Sequence, residues 1–201
     1  MGNDILHIEG IVEAVLFKNE NNGYVVLDLD AGGELITVVG ELGDVEIGEC
    51  LILEGNYITH QKFGTQFKAE YCERKLPDNA VNIEKYLASG AIKGIGPGLA
   101  KKIVSVFGAE TLDIIENSPF RLSEIKGISE KKCNEIASEA KKLFVLRCIM
   151  TYLAQYEIKS HFAMKAYRKY GGDTLALIKL NPYLLCSDDI ELDFTKADSI
   201  A

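Results

Sequence analysis

The chain has 201 residues, 47% apolar and 26% charged, with a formal net charge of −8; such a composition belongs to a globular protein long enough for a core in one or two domains. No run approaches the ~20 apolar residues that span a bilayer, and the opening MGNDILHIEG lacks the basic-then-apolar order of a secretory leader. Five scattered cysteines (Cys50, Cys72, Cys133, Cys148, Cys186) form no CxxC pair and have no histidine nearby, which predicts reduced, buried thiols in a cytoplasm rather than a disulfide frame or zinc site.

The first 75 residues read as strands. Ile8 to Phe17 is apolar with polar interruptions and ends at NENNG (19–23), where Asn22-Gly23 signals a tight turn. Runs at 24–30, 35–39, 50–57 and 65–72 follow, separated by connections containing glycine or aspartate. This pattern predicts a small five-stranded antiparallel β-barrel over residues 1–76, OB-like, although an SH3-like barrel would look nearly the same. Residues 1–76 carry 5 Lys+Arg against 14 Asp+Glu, a balance of −9. Glu9, Glu13, Glu20, Glu34, Glu46 and Glu49 are expected to form a solvated face, with docking of a protein partner or a neighbouring domain as the sharper alternative. Phe17, Tyr24, Phe63 and Phe67, near Lys62 and Lys68, are candidates for stacking bases. The barrel's negative charge opposes that role, and core packing is expected for most of them.

Leu76-Pro77-Asp78-Asn79 marks a boundary. Beyond it the apolar period lengthens from two to about three and a half, as in Ile83, Tyr86 and Leu87, then Leu99, Ile103, Val106 and Phe107, then Leu112 and Ile115. Short helices joined by tight turns are expected to the end, so the fold class is α+β. The barrel is followed by an all-α hairpin domain over 80–147 and a further repeat over 148–201. FGAETLDIIENSPFRL (107–122) and YGGDTLALIKLNPYLL (170–185) match at a constant offset of 63, pairing Gly108 with Gly171, Thr111 with Thr174, Ile115 with Ile178 and Pro119 with Pro182. The helical part is thus two copies of one unit.

The stretch SGAIKGIGPGLAKKIVSVFG (89–108) concentrates glycine in the one positive third of the chain, where residues 83–147 carry 11 Lys+Arg against 8 Asp+Glu. Between two helices, Gly94-Ile95-Gly96 can turn tightly and direct its amides outward, with Ile95 as an inward anchor. Pro97 and Gly98 then open a helix whose N-terminus has free donors and a dipole suited to phosphate. Lys101 and Lys102 follow within one turn. The pattern recurs at Gly127-Ile128-Ser129, with Ser129 as a helix cap and Lys131 and Lys132 as the second lysine pair. Nothing there reads a base edge, so the binding predicted is independent of sequence. At the repeat offset the turns fall on Glu157-Ile158-Lys159 and, shifted by one, Glu191-Leu192-Asp193. These acidic copies would repel phosphate and are read as packing copies.

The four turns resemble the helix-hairpin-helix DNA-binding motif, two copies competent and two degenerate. Together, FKNENNGYVVLDLD (17–30), FGTQFKAE (63–70), YLASGAIKGIGPGLAKKIV (86–104), NPYLL (181–185) and DFTKADSIA (193–201) are similar to the N-terminal region of bacterial RecD-like, superfamily-one DNA helicases that act without RecB and RecC. The resemblance covers essentially the whole chain. It implies a following motor that uses ATP and magnesium to move 5′ to 3′ along single-stranded DNA, with single-stranded or junction DNA as the partner. The family usually has a glycine-rich turn before a phenylalanine–alanine–aspartate element in its last hairpin; here Glu191 precedes Leu192-Asp193. No glycine is followed by lysine anywhere, so the phosphate loop GxxxxGK[ST] is missing. The expectation is a non-enzymatic, cofactor-free piece of a longer cytoplasmic protein that stops within its fourth hairpin.

Two other readings fit the same layout. A five-stranded barrel with tandem hairpins is also the plan of RuvA-type Holliday-junction scaffolds, and the hairpins could serve a pure protein-interaction module. GIGPGL is no dinucleotide fingerprint, because Leu99 stands where the third glycine belongs. His7, His60 and His161 have no catalytic or metal spacing and are expected to be solvated or structural.

Overall fold

The computed structural model describes residues 5–19, 22–43 and 45–201; Glu20 of the expected acidic face lies outside them. Five strands form a closed barrel: β1 (Leu6–Lys18), β2 (Tyr24–Asp30), β3 (Leu35–Glu41), β4 (Cys50–His60) and β5 (Gly64–Lys75), in the spatial order β1-β2-β3-β5-β4. The alternation in β2 explains its placement. Val25, Leu27 and Leu29 point inward and are fully buried, while Tyr24 faces solvent. With Val12, Val38, Leu51, Leu53 and Phe67 they fill the barrel. Its pairings are antiparallel except the closing one: β3 meets β5 in parallel, at Val38↔Phe67 and Val39↔Lys68. The purely antiparallel expectation is corrected there, because closing a five-strand barrel in this order runs those two strands the same way.

Helix α1 (Ala80–Ala88) starts at Asn79, whose side chain accepts from the Asn82 amide. α2 (Pro97–Phe107), α3 (Thr111–Asn117), α4 (Glu130–Ala154), α5 (Ser160–Tyr170), α6 (Thr174–Leu180) and α7 (Phe194–Asp198) follow. The repeat is visible atom by atom. α2 and α5 both end at a glycine with positive φ, Gly108 and Gly171. The buried hydroxyls of Thr111 and Thr174 donate to those glycines' carbonyls at 2.7 and 2.6 Å. Each unit has its own core, one running from Ile83 to Phe144 and the other from Ile149 to Ala197. α4 serves both. Its N-terminal part closes the first unit and its C-terminal part opens the second, so it is a 25-residue helix where short helices were expected.

The barrel docks on the helices through its acids. Glu49 is fully buried and corrects the solvated-face expectation. Arg74 of β5 donates to it from Nε and Nη2, both at 2.8 Å, and Arg147 Nη2 of α4 stands 2.8 Å from Oε1. Burial, with Glu49's charge adding, pushes the neighbouring Tyr86 phenol up to about 12. Glu13 pairs with Lys85 at 2.7 Å, Glu46 reaches Ser89 at 3.2 Å, and Glu41 pairs with Lys159. Gly48 makes the contact close: a Cβ there would stand 2.6 Å from the Asn82 carbonyl oxygen. Among the cysteines Cys133 is buried, Cys50, Cys72 and Cys186 are half-buried, and Cys148 is exposed rather than buried. No described helix is long and apolar enough to cross a membrane.

Candidate nucleic-acid interface

Both glycine turns face solvent. Gly94 and Gly127 have φ of +96° and +99°, the left-handed region where a side chain is strained. Each turn is pinned by the following isoleucine. Ile95 donates to the Ile92 carbonyl and Ile128 to that of Ile125, both at 3.1 Å, and both side chains are buried. One turn amide is thus consumed internally in each hairpin. The remaining donors lie at the helix start. Pro97 is the first residue of α2, and the amides of Gly96 and Gly98 find no acceptor among the described residues. In the second hairpin Ser129 caps α4 by accepting from the Lys132 amide at 3.2 Å, which removes one donor. Glu130 adds a negative charge in the first turn. The first hairpin is therefore the more open to an anion.

The lysines set the two units apart. Lys101, Lys102 and Lys131 are exposed, as are Lys93 and Lys126, which stand immediately before the two turn glycines and were not among the expected site residues. Among the described residues, none of these five has a carboxylate within 4 Å. Lys132 is held 3.6 Å from Glu135. The signal for Lys93 and Lys126 was legible as the repeated Ile-Lys-Gly. In the second unit Lys159, Lys165, Lys169 and Lys196 are all paired with acids. There the start of α5 abuts the barrel, since a Cβ on Gly43 would stand 2.6 Å from the Ser160 hydroxyl.

The barrel aromatics do not behave as expected. Phe67 is buried, but Phe17, Tyr24 and Phe63 are exposed, with Phe63 tilted over His60 at 4.8 Å between ring centres. Strand alternation explains this: Phe17 and Tyr24 lie on the outward face and Phe63 in the β4–β5 turn. The expectation of core packing for most of the four is corrected.

The chain matches three family profiles in succession. The profile for the OB-fold domain of ATP-dependent DNA helicase YrrC matches residues 6–77, one for a SAM-like helix-hairpin-helix tandem matches 85–142, and that for the helix-hairpin-helix domain of ATP-dependent RecD2 DNA helicase matches 144–201. The ATP-dependent RecD2 DNA helicase of Deinococcus radiodurans is 23% identical over 96% of this chain. The chain spans 28% of that relative's length. Barrel, hairpin tandem and second hairpin unit are thus matched in that order, the first and the last by domains of RecD-like DNA helicases, and along its length the chain is similar to part of such a helicase.

Proposed function

We propose that the chain is a DNA-binding N-terminal portion of a RecD-like 5′–3′ helicase, holding the sugar-phosphate backbone of single-stranded or junction DNA through its first two hairpins. The observation that carries this is the contrast in charge pairing: among the described residues Lys93, Lys101, Lys102, Lys126 and Lys131 around the glycine turns have no carboxylate within 4 Å, while Lys159, Lys165, Lys169 and Lys196 of the second unit are each paired with an acid. Unpaired cations beside unbonded helix N-terminal amides attract and orient a phosphate without contacting bases. ATP and magnesium belong to the motor expected of the longer enzyme. The residues of this chain do not fit such a site, since it has no phosphate loop and no group of three metal-ligating side chains among the described residues.

Fluorescence anisotropy with labelled strands of several sequences at low salt tests the reading. Equal affinity across sequences is expected, and replacing Lys101, Lys102, Lys131 and Lys132 with alanine together should abolish it. Binding that depends on base sequence, or that survives the fourfold change, overturns it.

A further inference from the structure

The second unit preserves the backbone of the hairpins while losing their glycines. Glu157 and Glu191 are the only non-glycine residues with positive φ among the described residues, at +54° and +62°. They occupy the turn positions of Gly94 and Gly127, at offsets of 63 and 64. Each carboxylate is held by a lysine of the opposite hairpin. Lys196, at the start of α7, has its Nζ 3.8 Å from Glu157, and Lys165 of α5 has its Nζ 3.1 Å from Glu191 and donates to the Ile190 carbonyl at 3.2 Å. At the same offsets, Lys196 corresponds to Lys132 and Lys165 to Lys102. The first unit shows the same crossing at one of its two turns: a Cβ on Gly94 would stand 2.9 Å from Lys132 Nζ, whereas a Cβ on Gly127 would meet nothing within 4 Å, so there the crossing rests on the correspondence of Lys102 with Lys165.

We infer that each open turn of the first unit completes its phosphate position with the lysine of the other hairpin, Lys132 over Gly94 and Lys102 over Gly127, and that Glu157 and Glu191 are internal carboxylates filling those two positions in the second unit. This rests on the DNA-binding reading above and adds a division of labour to it. Lys102 and Lys132 make the close contacts, while Lys101 and Lys131 contribute only general field. The second unit is closed to DNA by its own side chains, and its surface is left to hold the barrel.

The test compares single variants by anisotropy on one labelled strand across a salt series, with thermal melts to follow folding. Lys132→Ala and Lys102→Ala should each lower the log–log salt slope by about one, and Lys101→Ala and Lys131→Ala should change it much less. Gly94→Glu, which copies the second unit, should weaken binding well beyond Gly94→Gln, which shares its backbone strain and size but not its charge. Equal slopes for all four lysine variants, or equal losses for the Glu and Gln variants, overturn the crossed assignment while leaving DNA binding in place. A wild-type chain that fails to bind overturns the parent reading instead.

Discussion

At the scale of single residues, the informative glycines are those the backbone does not need. Gly94 and Gly127 have positive φ, so their identity follows from the turn. Gly96 has φ −99° and ψ 176°, extended backbone open to any residue, and a Cβ on Gly96 or Gly98 would meet nothing within 4 Å. Gly98 lies inside the first turn of α2, where glycine costs about 0.5–1 kcal/mol relative to alanine. On the DNA-binding proposal, their smallness leaves room for a phosphate to approach the amides. Gly98→Ala should raise stability by about 0.5 kcal/mol while weakening DNA binding, and Gly96→Val should weaken binding in a chain that melts like wild type. Thermal melts beside anisotropy check both; unchanged binding would remove the amides from the contact.

At the scale of elements, α4 and Glu49 couple the parts. Arg74 and Arg147 converge on one buried carboxylate from β5 and α4, and Arg147's guanidinium also lies 6.0 Å from the Tyr86 ring centre. Breaking such a buried group by removing one partner leaves uncompensated charge, so Glu49→Ala should cost about 3–5 kcal/mol. Urea unfolding would show this loss, with barrel and helices separating into two transitions. A single transition at the wild-type midpoint would show that the triad does not hold the domains together. Glu49 was unreadable as a buried residue because its partners come from distant parts of the chain. The length of α4 was hidden for a related reason. Its two halves bury different faces in different cores, from Cys133 to Phe144 and from Ile149 to Leu153, so no single apolar stripe runs along it.

At the scale of the whole molecule, an acidic protein presents a local basic face. Barrel acids are directed at the helices, through Glu13, Glu41, Glu46 and Glu49, and in the second unit Lys165, Lys169 and Lys196 are paired with acids of the same unit. The strands and the two glycine turns were legible because period-two alternation and left-handed backbone each leave a mark in composition. Barrel closure was not, since β3 and β5 meet through only two residue pairs far apart in sequence. The crossing of Lys132 toward Gly94 was equally silent, because it depends on how two hairpins pack rather than on the spacing within either. Net charge alone opposes a DNA partner; the positive field around the two turns is what a phosphate approaching them would meet.

The most direct measurement is the salt dependence of DNA affinity for the wild-type chain beside the variant with Lys101, Lys102, Lys131 and Lys132 replaced by alanine. Phosphate capture at the two turns predicts a steep wild-type log–log slope, reflecting ~2–5 phosphates, and a nearly flat one for the variant. A flat wild-type slope, or equal slopes for the two proteins, would contradict it.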